Sequence, residues 1–90
     1  MILPTHHKLK SFDPYFNAIL RGDKRFEVRK NDRAFQKGDT VSFISVNKDG
    51  EQTGRKSSEY EIMFVLQGGQ LGIEPGYCAF GINQKPFIQE

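Results

Sequence analysis

The stretch Ser11-Phe12-Asp13-Pro14-Tyr15-Phe16-Asn17-Ala18-Ile19-Leu20-Arg21-Gly22 constrains the fold more than any other part of the chain. Phe12, Tyr15, Phe16, Ile19 and Leu20 recur at i, i+3, i+4, i+7 and i+8, the spacing of an apolar stripe on an α-helix. Asp13 followed by Pro14 fits an N-cap and first helical position, where proline's missing N–H costs nothing. Gly22 suits the left-handed turn after the last helical residue. A helix of only two to three turns is marginal by itself, so its stripe must lie on a sheet.

The rest of the chain supplies that sheet. Residues 5–10 alternate weakly and predict a first strand, with Leu9 and one of His6 and His7 facing inward. Residues 24–30 alternate strictly: Phe26 and Val28 point one way, Arg25, Glu27 and Arg29 the other. Residues 31–38 read as a polar loop in which Phe35 is the only large apolar residue. Residues 40–46 are rich in β-branched and aromatic side chains, with Val41, Phe43 and the Ile44–Val46 region competing for the core face. Asn47-Lys48-Asp49-Gly50 is a turn, and residues 51–58 are expected to form a mobile hairpin loop. Residues 59–67 predict a long strand ended by Gly68-Gly69, and residues 77–82 a last one. The tail 83–90 is polar apart from Phe87 and Ile88.

One helix among five to six short strands is an α+β arrangement, and partial closure into a barrel is the economical way to protect strand edges. Ninety residues make one domain, 1–90, with no room for a second core. With one cysteine, Cys78, there is no internal disulfide. It sits in the apolar run Tyr77-Cys78-Ala79-Phe80 and reads as a buried small hydrophobe. The N-terminus lacks the pattern of a signal peptide and no apolar run approaches membrane-spanning length, so the expected location is cytoplasmic. His6 and His7 are adjacent on a strand and point to opposite faces, so they cannot share a metal. No metal and no cofactor are expected.

Charge is unevenly spread. Residues 21–37 hold seven Lys/Arg against three Asp/Glu, while residues 38–90 hold four against seven. A basic segment rides on a mildly acidic body.

Within that segment, Gly22, Lys24, Glu27 and Arg29 spell G-x-K-x-x-E-x-R, which resembles the signature of the ASCH domains of the PUA-like superfamily. His7-x-Leu9-Lys10, Tyr15-Phe16, residues 26–33, Gly38-Asp39, Thr53-Gly54-Arg55, Leu66-Gln67-Gly68-Gly69 and Glu74-Pro75-Gly76-Tyr77 extend the likeness. Together they resemble the ASCH-related family of unknown function designated DUF3850, from about residue 7 to residue 82. The resemblance implies a small PUA-like pseudo-β-barrel of five to six strands with one N-terminal helix packed beside it. It also implies a cleft for RNA or a modified nucleobase or nucleoside.

The residues agree with that implication on their own terms. Glu27 and Arg29, two apart on a strand, project from one face with their bases about 7 Å apart. A carboxylate between cations accepts hydrogen bonds from an exocyclic amine while the cations hold phosphate or a carbonyl. Lys24, Glu27, Arg29, Lys30, Arg33 and Tyr77 are therefore the expected nucleic-acid-binding residues. Lys37 would extend the cationic surface, and Tyr15 is a second candidate for base stacking, although core packing is the better reading of either tyrosine. The bland alternative is a solvated strand face with surface ion pairs worth about 0–1 kcal/mol each. Thr53-Gly54-Arg55-Lys56 forms a second, small basic tip.

Two other function classes stay open. Some ASCH relatives are amidohydrolases that deacetylate N4-acetylcytidine with a lysine, a threonine and a glutamate. Lys24 stands at the lysine position, Glu27 falls where the threonine would be, and the acid would have to come from Glu59, Glu61 or Glu74. Lys24 and Glu27 would then be the catalytic pair. The third class is a protein-interaction module with a vestigial cleft. A binding module is the favoured reading.

Overall fold

The computed structural model describes residues 3–84. One end of its sheet is a parallel pair, β1 (His6–Phe12) beside β3 (Thr40–Val46), in register from His6–Thr40 to Phe12–Val46. Between them the chain runs through helix α1 (Asp13–Arg21) and strand β2 (Phe26–Lys30). The remaining strands are β4 (Gln52–Lys56), β5 (Tyr60–Gln67) and β6 (Tyr77–Gln84). They complete one six-stranded sheet in the order β1-β3-β5-β6-β2, with β4 also on β3. The free side of β3 is shared: β5 pairs with Thr40 and Val41, β4 with Ile44 and Val46. The sheet curls into a half-barrel, so the fold is α+β as expected. No helix among the described residues is long and apolar enough to cross a membrane.

The concave face holds the core. Leu9 from β1, Val41 and Phe43 from β3, Tyr60 and Ile62 from β5, and Cys78, Phe80 and Ile82 from β6 are all buried there. Helix α1 packs on β1 and β3 and contributes Phe16 and Ile19. Phe35 plugs the remaining side from the loop 31–38, its ring 4.7 Å from His7 and 4.9 Å from Phe80. Cys78 is fully buried, and burial with the nearby Asp32 charge pushes its thiol above the usual range. It is a packing residue.

Four expectations need correction. The apolar stripe of α1 is narrower than its spacing suggests, because Phe12, Tyr15 and Leu20 stay exposed and only Phe16 and Ile19 are buried. Asp13 is not the N-cap: Phe12 is, and no side chain caps the helix. The Asp13 carboxylate is spent elsewhere, accepting hydrogen bonds from Ser45, Asn17 and Arg55. Residues 51–58 are not simply a loop, since β4 forms there on the far half of β3. It is held to the helix by Arg55, whose guanidinium donates to Asn17 at 2.8 Å and lies 5.0 Å from the Phe16 ring. The last strand runs on to Gln84, two residues past the expected end, while Phe87 and Ile88 lie outside the described residues.

The strict alternation of β2 is present, with an outcome opposite to hydrophobicity. Phe26 and Val28 are 54% and 52% exposed, and Glu27 only 5%. Antiparallel pairing sets Glu27 opposite Phe80 and Arg29 opposite Cys78, so both acidic and basic side chains share the concave face. Phe26 and Val28 fall in rows with Phe64 and Leu66 on the convex face, across Gly81 and Ala79 of β6.

A buried polar knot fixes where β1 begins. Asp39 accepts hydrogen bonds from the Thr5 amide at 3.0 Å, the His7 ring at 2.9 Å and the Gln36 amide at 3.1 Å. An ionised carboxylate can only accept, so Nε2 of His7 carries the proton. Burial raises the Asp39 carboxyl, but these hydrogen bonds outweigh it and hold the group below the usual carboxylate range. A carboxylate depressed on folding contributes stability that is complete above its unfolded pKa of about 4 and is lost as pH falls through the folded value. Asp39→Asn should therefore lose about 1–3 kcal/mol at neutral pH and show a shallower further decline of the urea midpoint below about pH 4. Parallel acid limbs for variant and wild type would remove Asp39 from the account.

Candidate functional site

The site begins where α1 stops. Gly22 takes the left-handed conformation at φ 82°, and the amides of Asp23 and Lys24 both donate to Ala18 O, at 2.9 and 3.1 Å. This closes the helix, and β2 starts at Phe26, with the Lys24 side chain directed onto it. Lys24 Nζ donates to Phe26 O at 2.9 Å and to Glu27 Oε2, and lies within 5.8 Å of the Tyr15 and 5.2 Å of the Phe26 ring centroids. Arg29 Nε donates to the other oxygen of Glu27 at 2.9 Å. Both oxygens of a carboxylate facing the concave side are thus engaged by cations.

The array continues across the open side of the half-barrel. Strands β1 and β2 are the two ends of the sheet order and do not pair. Arg29 nevertheless donates through Nη2 to Lys10 O, and Arg33 through Nη1 to Lys8 O at 3.0 Å. Two arginines from the β2 side occupy carbonyls on the free edge of β1, and Glu27 holds one of them in line. Asn31 shapes the loop between, accepting from the Phe35 amide at 3.2 Å and donating to Gln67 at 2.9 Å.

Beside Lys24 lies a cleft of about 280 Å³. Arg21, Lys24 and Arg25 line it together with Asn83, Gln84, Tyr60 and Ile82. The three motif side chains converge on one another, but of the three only Lys24 lines this hollow. Asn83 and Gln84 were missed by sequence reasoning, because two polar residues after Ile82 look like a tail. The regular inward set Cys78, Phe80, Ile82 was the signal that the strand had not yet ended.

The other expected residues are dispersed. Tyr77 faces outward opposite Lys30, at the end of β6 far from Asn83, and is 39% exposed. Tyr15 is exposed next to Lys24. Lys30 is exposed on the convex face, and Arg33 lies on the open side with its guanidinium on Lys8 O. His6 and His7 point to opposite faces, as expected, and no cluster of metal-binding side chains occurs among the described residues. None of Glu59, Glu61 and Glu74 lines the cleft.

Removing the carboxylate at the centre would leave two partly buried cations facing each other. Glu27→Ala should cost about 3 kcal/mol of unfolding free energy, the lower end for breaking a buried pair, since Arg29 keeps some access to water. A loss under about 1 kcal/mol in urea denaturation, the value of a surface pair, would show that the array carries no structural weight.

Comparison with known proteins locates the chain in a family. Over 50 residues it is 42% identical to the "Uncharacterized 12.9 kDa protein in GpA 3'region" of Escherichia phage P2, a match covering 56% of this chain and 45% of that protein. The match therefore spans less than half the length of this relative. The profile described as "Domain of unknown function (DUF3850)" matches residues 6–82, from the start of β1 into β6. With nearly all of the half-barrel inside that match, the chain belongs to the DUF3850 family.

Proposed function

We propose that the chain is a nucleic-acid-binding module of the ASCH, PUA-like kind, acting in the cytoplasm, that takes an unpaired base of RNA or a modified nucleobase into the cleft at the end of α1. The observation that carries this reading is the make-up of that cleft. Cationic Arg21, Lys24 and Arg25 line it together with two amide residues, Asn83 and Gln84, and with Ile82 and Tyr60. Amides offer both donors and acceptors to a base edge, and apolar lining suits a flat ring. Burial raises the Tyr60 phenol above its usual pKa, so it stays neutral at physiological pH. Glu27 supports the cleft indirectly by fixing Lys24.

Hydrolysis of an acetylated nucleoside has less in its favour. Glu27, at the position of the threonine, has both oxygens committed to Lys24 and Arg29, and no carboxylate lines the cleft. A protein partner is the second reading, favoured by the exposed Phe26, Val28 and Phe64 on the convex face. Contiguous exposed apolar surface of this kind commonly marks interaction sites.

The test is a titration of labelled single-stranded RNA at several salt concentrations. If about four cations contact phosphate, log K falls against log salt with a slope near −3. Asn83→Ala with Gln84→Ala should weaken binding about tenfold without changing that slope, because base contacts, not phosphates, are lost. No binding at low salt would overturn the reading. Full-strength binding by the double variant would remove the cleft from it.

A further inference from the structure

The cations of β1 and of the basic segment are of two kinds. Lys24 and Arg29 are committed to Glu27 and to backbone carbonyls, Arg21 donates to Asp23, and Arg25 donates to Gly22 O. Lys8, Lys10, Lys30 and Lys37, by contrast, are exposed and make no side-chain hydrogen bond or ion pair among the described residues. Lys8 and Lys10 lie on β1 and Lys30 on β2, the two strands that border the open side, and Lys37 lies in the loop that follows β2. Lys8 and Lys10 flank the carbonyls held by Arg33 and Arg29, and Lys30 directly follows Arg29. Lys37 and Arg33 wall a second cleft of about 200 Å³, together with Thr5, Ala34 and Asp39. Ala34 holds the left-handed conformation there at φ 49°, uncommon for a residue with a side chain.

Opposing charges are few. Asp32 is exposed beside Arg33, and Asp39 is buried with its oxygens already taken by Thr5, His7 and Gln36. Five cations thus meet two carboxylates, one of them fully engaged. An ammonium that nothing in the fold uses loses no partner when it meets phosphate, and its flexible stem suits a backbone of variable path.

We infer that this second cleft, with Lys37 in its wall and Lys8 and Lys10 on β1 beside it, forms a subsite for the sugar–phosphate backbone of a single-stranded nucleic acid whose base occupies the first cleft. The inference rests on the function proposed above and sharpens it: the ligand is a strand, not a free nucleoside. The two clefts lie at opposite ends of the segment from Lys24 to Arg33, at most about 30 Å apart along an extended chain. A strand of roughly four or more nucleotides spans such a distance, at the short end of what small β-barrel domains cover.

Fluorescence anisotropy with oligouridylates of two and eight nucleotides tests this on the full chain. The variant combines Lys8→Gln, Lys10→Gln and Lys37→Gln, all at exposed positions, and its thermal melt checks the fold. The octamer should bind wild type more tightly than the dinucleotide. In the variant the octamer should lose at least about tenfold, with a salt slope shallower by about 2, while the dinucleotide changes less than about twofold. Equal losses at both lengths, or none, would overturn the subsite while leaving the first cleft standing. Failure of wild type to bind either length would overturn the proposed function and the subsite with it. Inorganic polyphosphate that competes as well as the octamer per phosphate would reduce the patch to a general anion surface, which also overturns the inference.

Discussion

A curled sheet that stops short of closing leaves two strand edges facing each other, and unpaired edges invite other chains. Here the edges belong to β1 and β2, which are joined in sequence through α1 yet sit at opposite ends of the sheet order. They are bridged by side chains: Arg29 and Arg33 reach from the β2 side to the carbonyls of Lys10 and Lys8. A guanidinium suits this role because its fork of donors serves two acceptors at once, and Arg29 uses it on Glu27 and Lys10 together. The position of Glu27 then follows. A cation drawn into the concave side needs an anion, and the anion's second oxygen is matched by Lys24 at the helix end. Helix terminus, edge strand and barrel opening are tied by one carboxylate.

This coupling explains why hydrophobicity misleads in β2. Alternation establishes which side chains share a face, but not which face lies inside. The inside was decided by pairing with β6, whose inward residues Cys78, Phe80 and Ile82 bring Arg29 and Glu27 in with them. The outside of β2 has no cover, because the single described helix is already on β1 and β3. β5 adds to the same exposed surface: a bulge between Ile62 and Phe64 shifts its inward series to Val65 and leaves Met63 and Phe64 both outside.

Period and punctuation made most elements legible. The helix was visible from Phe16 and Ile19 framed by Pro14 and Gly22, and β3 from its β-branched run. What stayed hidden depends on partners distant in sequence. β4 carries no buried residue, so no pattern announced it; it exists because the end of β3 offers a free edge and Arg55 reaches Asn17. Asp13 looked like a cap until Ser45 and Arg55, more than thirty residues away, drew its carboxylate off the helix amides. The candidate site was half legible for the same reason. Lys24, Glu27 and Arg29 are local to one short segment, whereas Asn83 and Gln84 come beside Lys24 only through the pairing of β6 with β2.

The charge asymmetry reads differently once partners are known. A +4 segment suggests uniform attraction for polyanions, yet its motif cations face a carboxylate and backbone carbonyls within the fold. Each such pair lowers the local positive potential and fixes side-chain direction, trading long-range attraction for geometry. On the proposed reading, the cleft at Lys24 therefore recognises a shaped, polar ligand rather than attracting any polyanion. The field that would draw a polyanion comes instead from lysines with no partner, Lys8 and Lys10 on an adjacent strand and Lys37 in the following loop. On the proposed reading, affinity and selectivity sit at different ends of the same open side. Changes in salt then alter how tightly a strand is held, and changes at the cleft alter which strand it is.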